Sequence, residues 1–316
     1  CKTMHHRYFQ VCWCFLAFWL ISSPLPAQMR PTVAKKAMVV SAQKLASEAG
    51  VAMLKKGGNA VDAAVATELA LAVTHPVAGN LGGGGFMLIR LADGNTFALD
   101  YREKAPLQAT RTMYLDSAER PLPEKSKFGH LAVGVPGTVA GIIEAHKRFG
   151  RLPFKVVIQP AIELAEKGFA LSHLQAELLN RFAPFFARFE GSRRYFTKGD
   201  TSKKWQEGDI FIQKDLAETL KRIRDKGRDG FYKGKTAELI VAEMKRGGGI
   251  ITPEDLEKYE PKWREPVKGI YRGYEVISMP PPSAGGIGLL QLLAFVEPYN
   301  LKEMGFQSSE TIHLFG

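Results

Sequence analysis

A mixed α/β domain is what this sequence predicts, and three observations predict it. The apolar run Phe86 to Leu91, the turn residues Ala92-Asp93-Gly94-Asn95 and a second run, Thr96 to Tyr101, together read as a β-hairpin. Segments with helical spacing of apolar residues lie on both sides of it, among them Lys44 to Lys56, Ala60 to Val73 and Phe154 to Lys167. Charged residues at 24% and apolar residues at 45% are what a soluble globular chain carries, and 316 residues suffice for one large domain or two ordinary ones.

In chain order, the start differs in character from the rest. Met4-His5-His6-Arg7 reads as a basic n-region and Val11 to Ile21 as an apolar core of about 11 residues, short for a membrane span of roughly 20. Ser22 to Gln28 then reads as a cleavage region, so residues 1–27 are expected to be a signal peptide with Ala27 its last residue. Cys1, Cys12 and Cys14 all fall inside it, which would leave a mature chain without disulfides, thiolate metal sites or a cysteine nucleophile. Export without disulfides suits a bacterial periplasm or the medium, so a periplasmic or extracellular location is expected.

Ala37 to Val40 can form a short strand. The helix from Lys44 stops at Gly57-Gly58, and Asn59 can cap the next one with Asp62 in the partner position of a capping box. That helix, apolar on nearly every side and rich in alanine, should be buried with close backbone approach. Pro76 ends it. Leu131 to Gly137 reads as a buried strand running into a turn, with Thr138 the cap of a helix to Phe149. Phe154 to Lys167 tolerates Pro160 with a kink, and Gln175 to Phe189 is the next helix. Asp215 to Lys226 and Thr236 to Arg246 are helical, Thr252-Pro253 starts another helix, and Val267 to Tyr271 with Tyr274 to Ser278 form a hairpin around Arg272-Gly273. Ile287 to Phe295 is an apolar helix, and a further helix starts at Ser309.

The stretch that gathers chemistry runs from Pro76 to Arg102. Gly82 to Gly85 give a backbone open to positive φ and to close approach by another chain or a ligand. Arg102 ends the hairpin as a cation beside that loop, where a guanidinium can clamp a carboxylate through two parallel hydrogen bonds. The plain alternatives are a loop that only turns the chain and a surface arginine paired with Glu103 or Asp100. Phosphate binding is set aside, because a strand follows the glycines where a Gly-Lys-Ser/Thr and a helix would be needed.

The net charge of +11 falls to +9 without residues 1–27, which hold Lys2 and Arg7 and no acid. Arg188, Arg193, Arg194, Lys198, Lys203 and Lys204 interleave with aromatics in the manner of a nucleic-acid surface. In an exported chain they read instead as a solvated loop over a helix pair, and no nucleic-acid partner is expected. Ser283 lacks the first glycine of a nucleophile elbow, and the seven histidines make neither His-Glu-x-x-His nor a cluster for metal. No cofactor is expected.

Six segments then identify a resemblance. They are Leu45-Ala46-Ser47-Glu48-Ala49-Gly50, Gly57 to Ala64, Gly79 to Met87, Asp100-Tyr101-Arg102-Glu103-Lys104-Ala105-Pro106, Val135-Pro136-Gly137 and Met279 to Gly286. In order and spacing these resemble the γ-glutamyltranspeptidases, also called glutathione hydrolases, over about residues 37 to 313. The resemblance implies an α+β fold, the αββα sandwich of N-terminal-nucleophile hydrolases, incomplete in this chain. It implies a precursor that cuts itself, a small chain whose new N-terminal threonine attacks the γ-glutamyl amide with its own amine as base, and transfer to water or an amino acid. It implies that Arg102 binds the α-carboxylate of the glutamyl group.

No threonine here matches that nucleophile, so residues 28–316 are expected to be the first part of the large chain, inactive alone and exposing apolar surface. Expected partners are glutathione or other γ-glutamyl compounds and the protein's own small chain, without a stable membrane anchor. Two other readings stay open: an acylase acting on glutaryl-type β-lactam side chains, and a non-catalytic, truncated γ-glutamyl-binding relic.

Overall fold

The computed structural model describes residues 32–316; the expected leader, residues 1–27, lies outside the described residues. The chain divides into two units at Met38/Val39. Of the first, residues 32–38 are described, and they form neither helix nor strand. The strand expected at Ala37 to Val40 is not formed. Met38 and Val40 are exposed, at 49% and 79%, and a strand without a paired neighbour gains nothing from its propensity.

The second unit opens with helices α1 (Lys44–Lys55) and α2 (Ala60–Thr74). Asn59 and Asp62 make the expected capping box: the Asn59 side chain accepts from the backbone of Val61 and Asp62, and Asp62 accepts from the backbone N–H of Asn59. The helix is buried on most sides. A Cβ on Gly50 would lie 2.3 Å from Thr67 Oγ1, which shows how closely the two helices approach. Strands β1 (Phe86–Arg90) and β2 (Thr96–Asp100) form the expected antiparallel hairpin, with Phe86 opposite Asp100.

Next come α3 (Pro123–Lys127), α4 (Thr138–Phe149), α5 (Phe154–Lys167, continuing through Pro160) and β3 (Phe169–Ala170). Two expectations fail here. Leu131 to Gly137 is not a strand: apart from an isolated bridge of Val135 to Lys104, its polar groups are spent elsewhere, with Pro136 O accepting from Tyr232 and Gly137 N donating to Gly83. Thr138 does not cap α4. Its hydroxyl donates to Asn80 instead, and Gly83 O accepts the N–H groups of Gly137 and Thr138.

Helix α6 (His173–Phe186) begins two residues earlier than expected because Ser172 and Gln175 form a capping box. The basic stretch folds as α7 (Glu190–Phe196) and a loop. Its aromatics turn inward, with Phe196 stacked on Phe211 of β4 (Ile210–Phe211) and Trp205 edge-on to the same ring. Then follow α8 (Lys214–Lys226), α9 (Asp229–Tyr232), α10 (Gly234–Gly247) and α11 (Pro253–Glu257), whose N-terminus Thr252 caps as expected.

Strand β5 (Lys262–Arg264), absent from the sequence reading, pairs antiparallel with β2 and completes a three-stranded sheet ordered β1-β2-β5. Strands β6 (Val267–Tyr271) and β7 (Tyr274–Ser278) make the second hairpin. Arg272 and Gly273 both have positive φ, as a type I′ turn requires. Helices α12 (Gly285–Val296), α13 (Leu301–Met304) and α14 (Ser309–Phe315) end the chain. No helix among the described residues is long and apolar enough to cross a membrane.

Candidate functional site

The glycine loop and Arg102 meet as the sequence suggests, but the glycines serve approach and not turning. None of Gly82 to Gly85 has positive φ. A Cβ on Gly84 would sit 2.5 Å from Tyr101 O and 2.8 Å from Arg102 Cα, so only glycine lets the loop lie against the Arg102 backbone. Gly85 and Tyr101 exchange backbone hydrogen bonds of 3.3 and 3.0 Å, extending the hairpin by one pair. Asn80 fixes the other side, its Oδ1 accepting from Gly83 N at 2.8 Å and from the Thr138 hydroxyl at 2.9 Å.

Arg102 itself is held by its main chain. Its N–H donates to Asp100 Oδ1 at 3.1 Å, and its carbonyl accepts from Tyr259 Oη at 2.8 Å. The guanidinium makes no hydrogen bond or ion pair among the described residues and lies 5.8 Å from the centre of the Phe86 ring. The pairing with Glu103 or Asp100 that would make it an ordinary surface arginine does not occur; Asp100 is bound by Arg264 instead. Arg102 opens into a recess of about 350 Å³ that Asp100, Glu103, Lys104, Lys262, Arg264 and Pro282 also line. Pro282 brings the Pro-Pro-Pro-Ser segment beside the Asp-Tyr-Arg-Glu segment. Lys104 Nζ donates to Glu260 O at 2.7 Å, and desolvation, reinforced by the charge of Lys262, holds its ammonium below the usual lysine range. Four cations thus face two carboxylates in the recess, and one of those carboxylates, Asp100, is already bound by Arg264, so the excess of positive charge suits an anionic group.

Sequence reasoning missed Glu68. Tyr101, 3% exposed, sits where side chains on Gly85 or Gly141 would collide with its ring, and its hydroxyl donates to both Glu68 oxygens at 3.2 Å. Burial pushes the Glu68 carboxyl up to about 7, and the Tyr101 hydrogen bond opposes the rise. No motif signals this; a glutamate on an otherwise apolar helix is the only hint. Because the folded-state value is raised, folded protein retains a proton that unfolded chain has released between the ordinary glutamate value and about 7. Stability therefore falls as pH rises through that window, and the full cost is present above it. Glu68→Gln, which keeps an acceptor for Tyr101, should raise stability by about 2 kcal/mol at pH 8 and leave it unchanged near pH 4, read as thermal melting at both values.

Comparison with known proteins gives the family and the fold. A family model described as Gamma-glutamyltranspeptidase matches residues 46–316. The glutathione hydrolase proenzyme of Escherichia coli (strain K12) is 49% identical over 286 residues, covering 90% of this chain and 49% of the relative. The acylase ACY 1 proenzyme of Pseudomonas sp. (strain SE83) is 39% identical over 297 residues, 91% of this chain and 52% of the relative. The crystal structure of Helicobacter pylori γ-glutamyltranspeptidase superposes with a TM-score of 0.87 at 50% identity, covering 90% of this chain and 81% of that one. The chain spans about half the length of the curated relatives it matches. The fold class is that of the N-terminal-nucleophile hydrolases, α+β, as the sequence resemblance implies. In sequence and in fold, the chain belongs to the γ-glutamyltranspeptidase family.

Proposed function

We infer that the full-length protein is a γ-glutamyltransferase and glutathione hydrolase in which Arg102 binds the α-carboxylate of the γ-glutamyl group. The observation that carries this reading is the Arg102 guanidinium, fixed through its backbone, without a bonded acidic partner among the described residues, and open to a recess in which cations outnumber carboxylates. A guanidinium so placed binds a carboxylate through two parallel hydrogen bonds and aligns the γ-amide for attack. In this reading the nucleophilic threonine belongs to the part of the relatives' length that these residues do not span. It forms an acyl-enzyme that water or an amino acid resolves. The protein's own small chain is its partner after self-cleavage, as the word proenzyme in the relatives' names supports. Exposed Leu292, Phe295, Ile312 and Phe315 on the C-terminal helices leave apolar surface for that chain to cover. Residues 1–27 serve as a signal for export to the periplasm or medium, and residues 28–316 belong to the N-terminal part of the large chain.

The acylase likeness supports a second reading, since a glutaryl group also presents a free carboxylate to Arg102. Turnover of L-γ-glutamyl-p-nitroanilide and glutaryl-p-nitroanilide by the full-length gene product separates the two. The expected result is a kcat/KM for the γ-glutamyl compound at least about 100-fold higher, with two chains by intact mass, the smaller beginning with threonine. Preference for the glutaryl compound would select the acylase. A single chain that turns over neither would discard both.

A further inference from the structure

Asp100 is the carboxylate best placed to defeat Arg102. It stands two residues away, is nearly buried, and already accepts the Arg102 backbone N–H through Oδ1. A carboxylate held that close acts at a high effective concentration, against which a dissolved substrate must compete for the guanidinium. The structure shows why it does not win. Its other oxygen, Oδ2, receives both Nε and Nη2 of Arg264, each at 2.8 Å.

Strand register sets up that pairing, with Lys262 directly opposite Asp100 and Arg264 one diagonal step away on the same face. Trp263 stands opposite Leu99 and faces the core, edge-on to Phe97 and Phe149, with the Arg148 guanidinium 4.4 Å from its ring centre and its indole N–H donating to Glu144. With Trp263 locked inward, Arg264 must point to the opposite face, where Asp100 is its diagonal neighbour across β2 and β5.

We propose that Arg264 is a positioning residue: by occupying Asp100 it keeps the Arg102 guanidinium available to a substrate carboxylate. The proposal rests on the reading of Arg102 as the carboxylate ligand. It makes the Asp100–Arg264 pair part of substrate recognition through its hold on Asp100, and it requires the two residues to act as a unit.

Two readouts on the full-length protein test it, using Arg264→Gln and the double variant Asp100→Asn/Arg264→Gln. The first is the rate at which phenylglyoxal labels Arg102, followed by peptide mass. The second is KM and kcat for L-γ-glutamyl-p-nitroanilide. Arg264→Gln should slow labelling and raise KM about tenfold with kcat within about twofold, because Asp100 now turns to Arg102. The double variant, which removes the competing charge and keeps the acceptor for Arg102 N–H, should recover most of both losses. A purely structural role predicts the opposite, that a second substitution adds damage. Labelling and KM unchanged in Arg264→Gln, or a double variant no better than the single one, would overturn the proposal. If labelling follows the expected pattern while the unsubstituted protein turns over no substrate, the Asp100–Arg264 device stands and the proposed activity fails.

Discussion

Arg102→Ala in the full-length protein is expected to raise KM for γ-glutamyl substrates by roughly 30- to 700-fold, the equivalent of about 2–4 kcal/mol. The physical reason is that alanine leaves the substrate carboxylate desolvated in the recess without the forked donor that replaced its water. The α-carboxylate is remote from the scissile amide and carries the same charge in the ground and transition states. Its binding is therefore largely uniform, and kcat should change far less than KM. Lysine at this position should recover only part of the loss, because an ammonium offers a point charge where the guanidinium offers two parallel hydrogen bonds. Steady-state kinetics of the three proteins settle the matter. A KM for the alanine variant within twofold of the parent would remove Arg102 from the site.

The largest effect on stability is expected at Asp62. This carboxylate is fully buried and gathers the backbone of two separate segments. Asn59 N donates to it at 2.8 Å, Arg151 N at 3.1 Å and Leu152 N at 3.2 Å, while His146 Nε2 lies 3.3 Å away. It closes the capping box of α2 and also ties that helix to the connection between α4 and α5, where Asn59 Nδ2 adds a 2.6 Å bond to Phe149 O. Asp62→Ala removes the acceptor for three backbone N–H groups at once and opens no route for water to replace it. A loss of about 3–5 kcal/mol follows, or roughly 6–20 °C in Tm for a chain of this size. Asp62→Asn, which keeps one acceptor oxygen, should lose distinctly less. Thermal unfolding followed by circular dichroism reads both; a shift below 2 °C for the alanine variant would show that the cap is dispensable.

Much of the framework was legible because its causes are local. The β1-β2 hairpin follows from two apolar runs and an Asp-Gly turn, the second hairpin from Arg272-Gly273 at positive φ, and α2 from Asn59 and Asp62 three residues apart. Each needs only residues within a few positions of one another, so spacing and turn chemistry suffice. The segment Leu131 to Gly137 shows where that logic ends. Its composition is that of a strand, but its polar groups are claimed by Tyr232 and Gly83, and a chain already bonded elsewhere has no ladder to join.

Arg102 divides along the same line. Its place at the end of a strand beside a glycine loop, and the family it signals, are properties of the sequence. What frees its guanidinium is not: the Tyr259 hydroxyl on its carbonyl, Arg264 on Asp100, and the tyrosine beside it resting on Glu68 all join residues far apart in the chain. Long-range pairs of this kind depend on which side chain the packing turns inward, as Trp263 does for β5, and no local pattern encodes that choice. The sequence by itself determined the two hairpins, most of the longer helices, the family and the residue to watch. The tertiary structure alone decided which carboxylate its guanidinium would leave untouched, because an ion pair forms where folding brings two charges within hydrogen-bonding distance, whatever their separation along the chain.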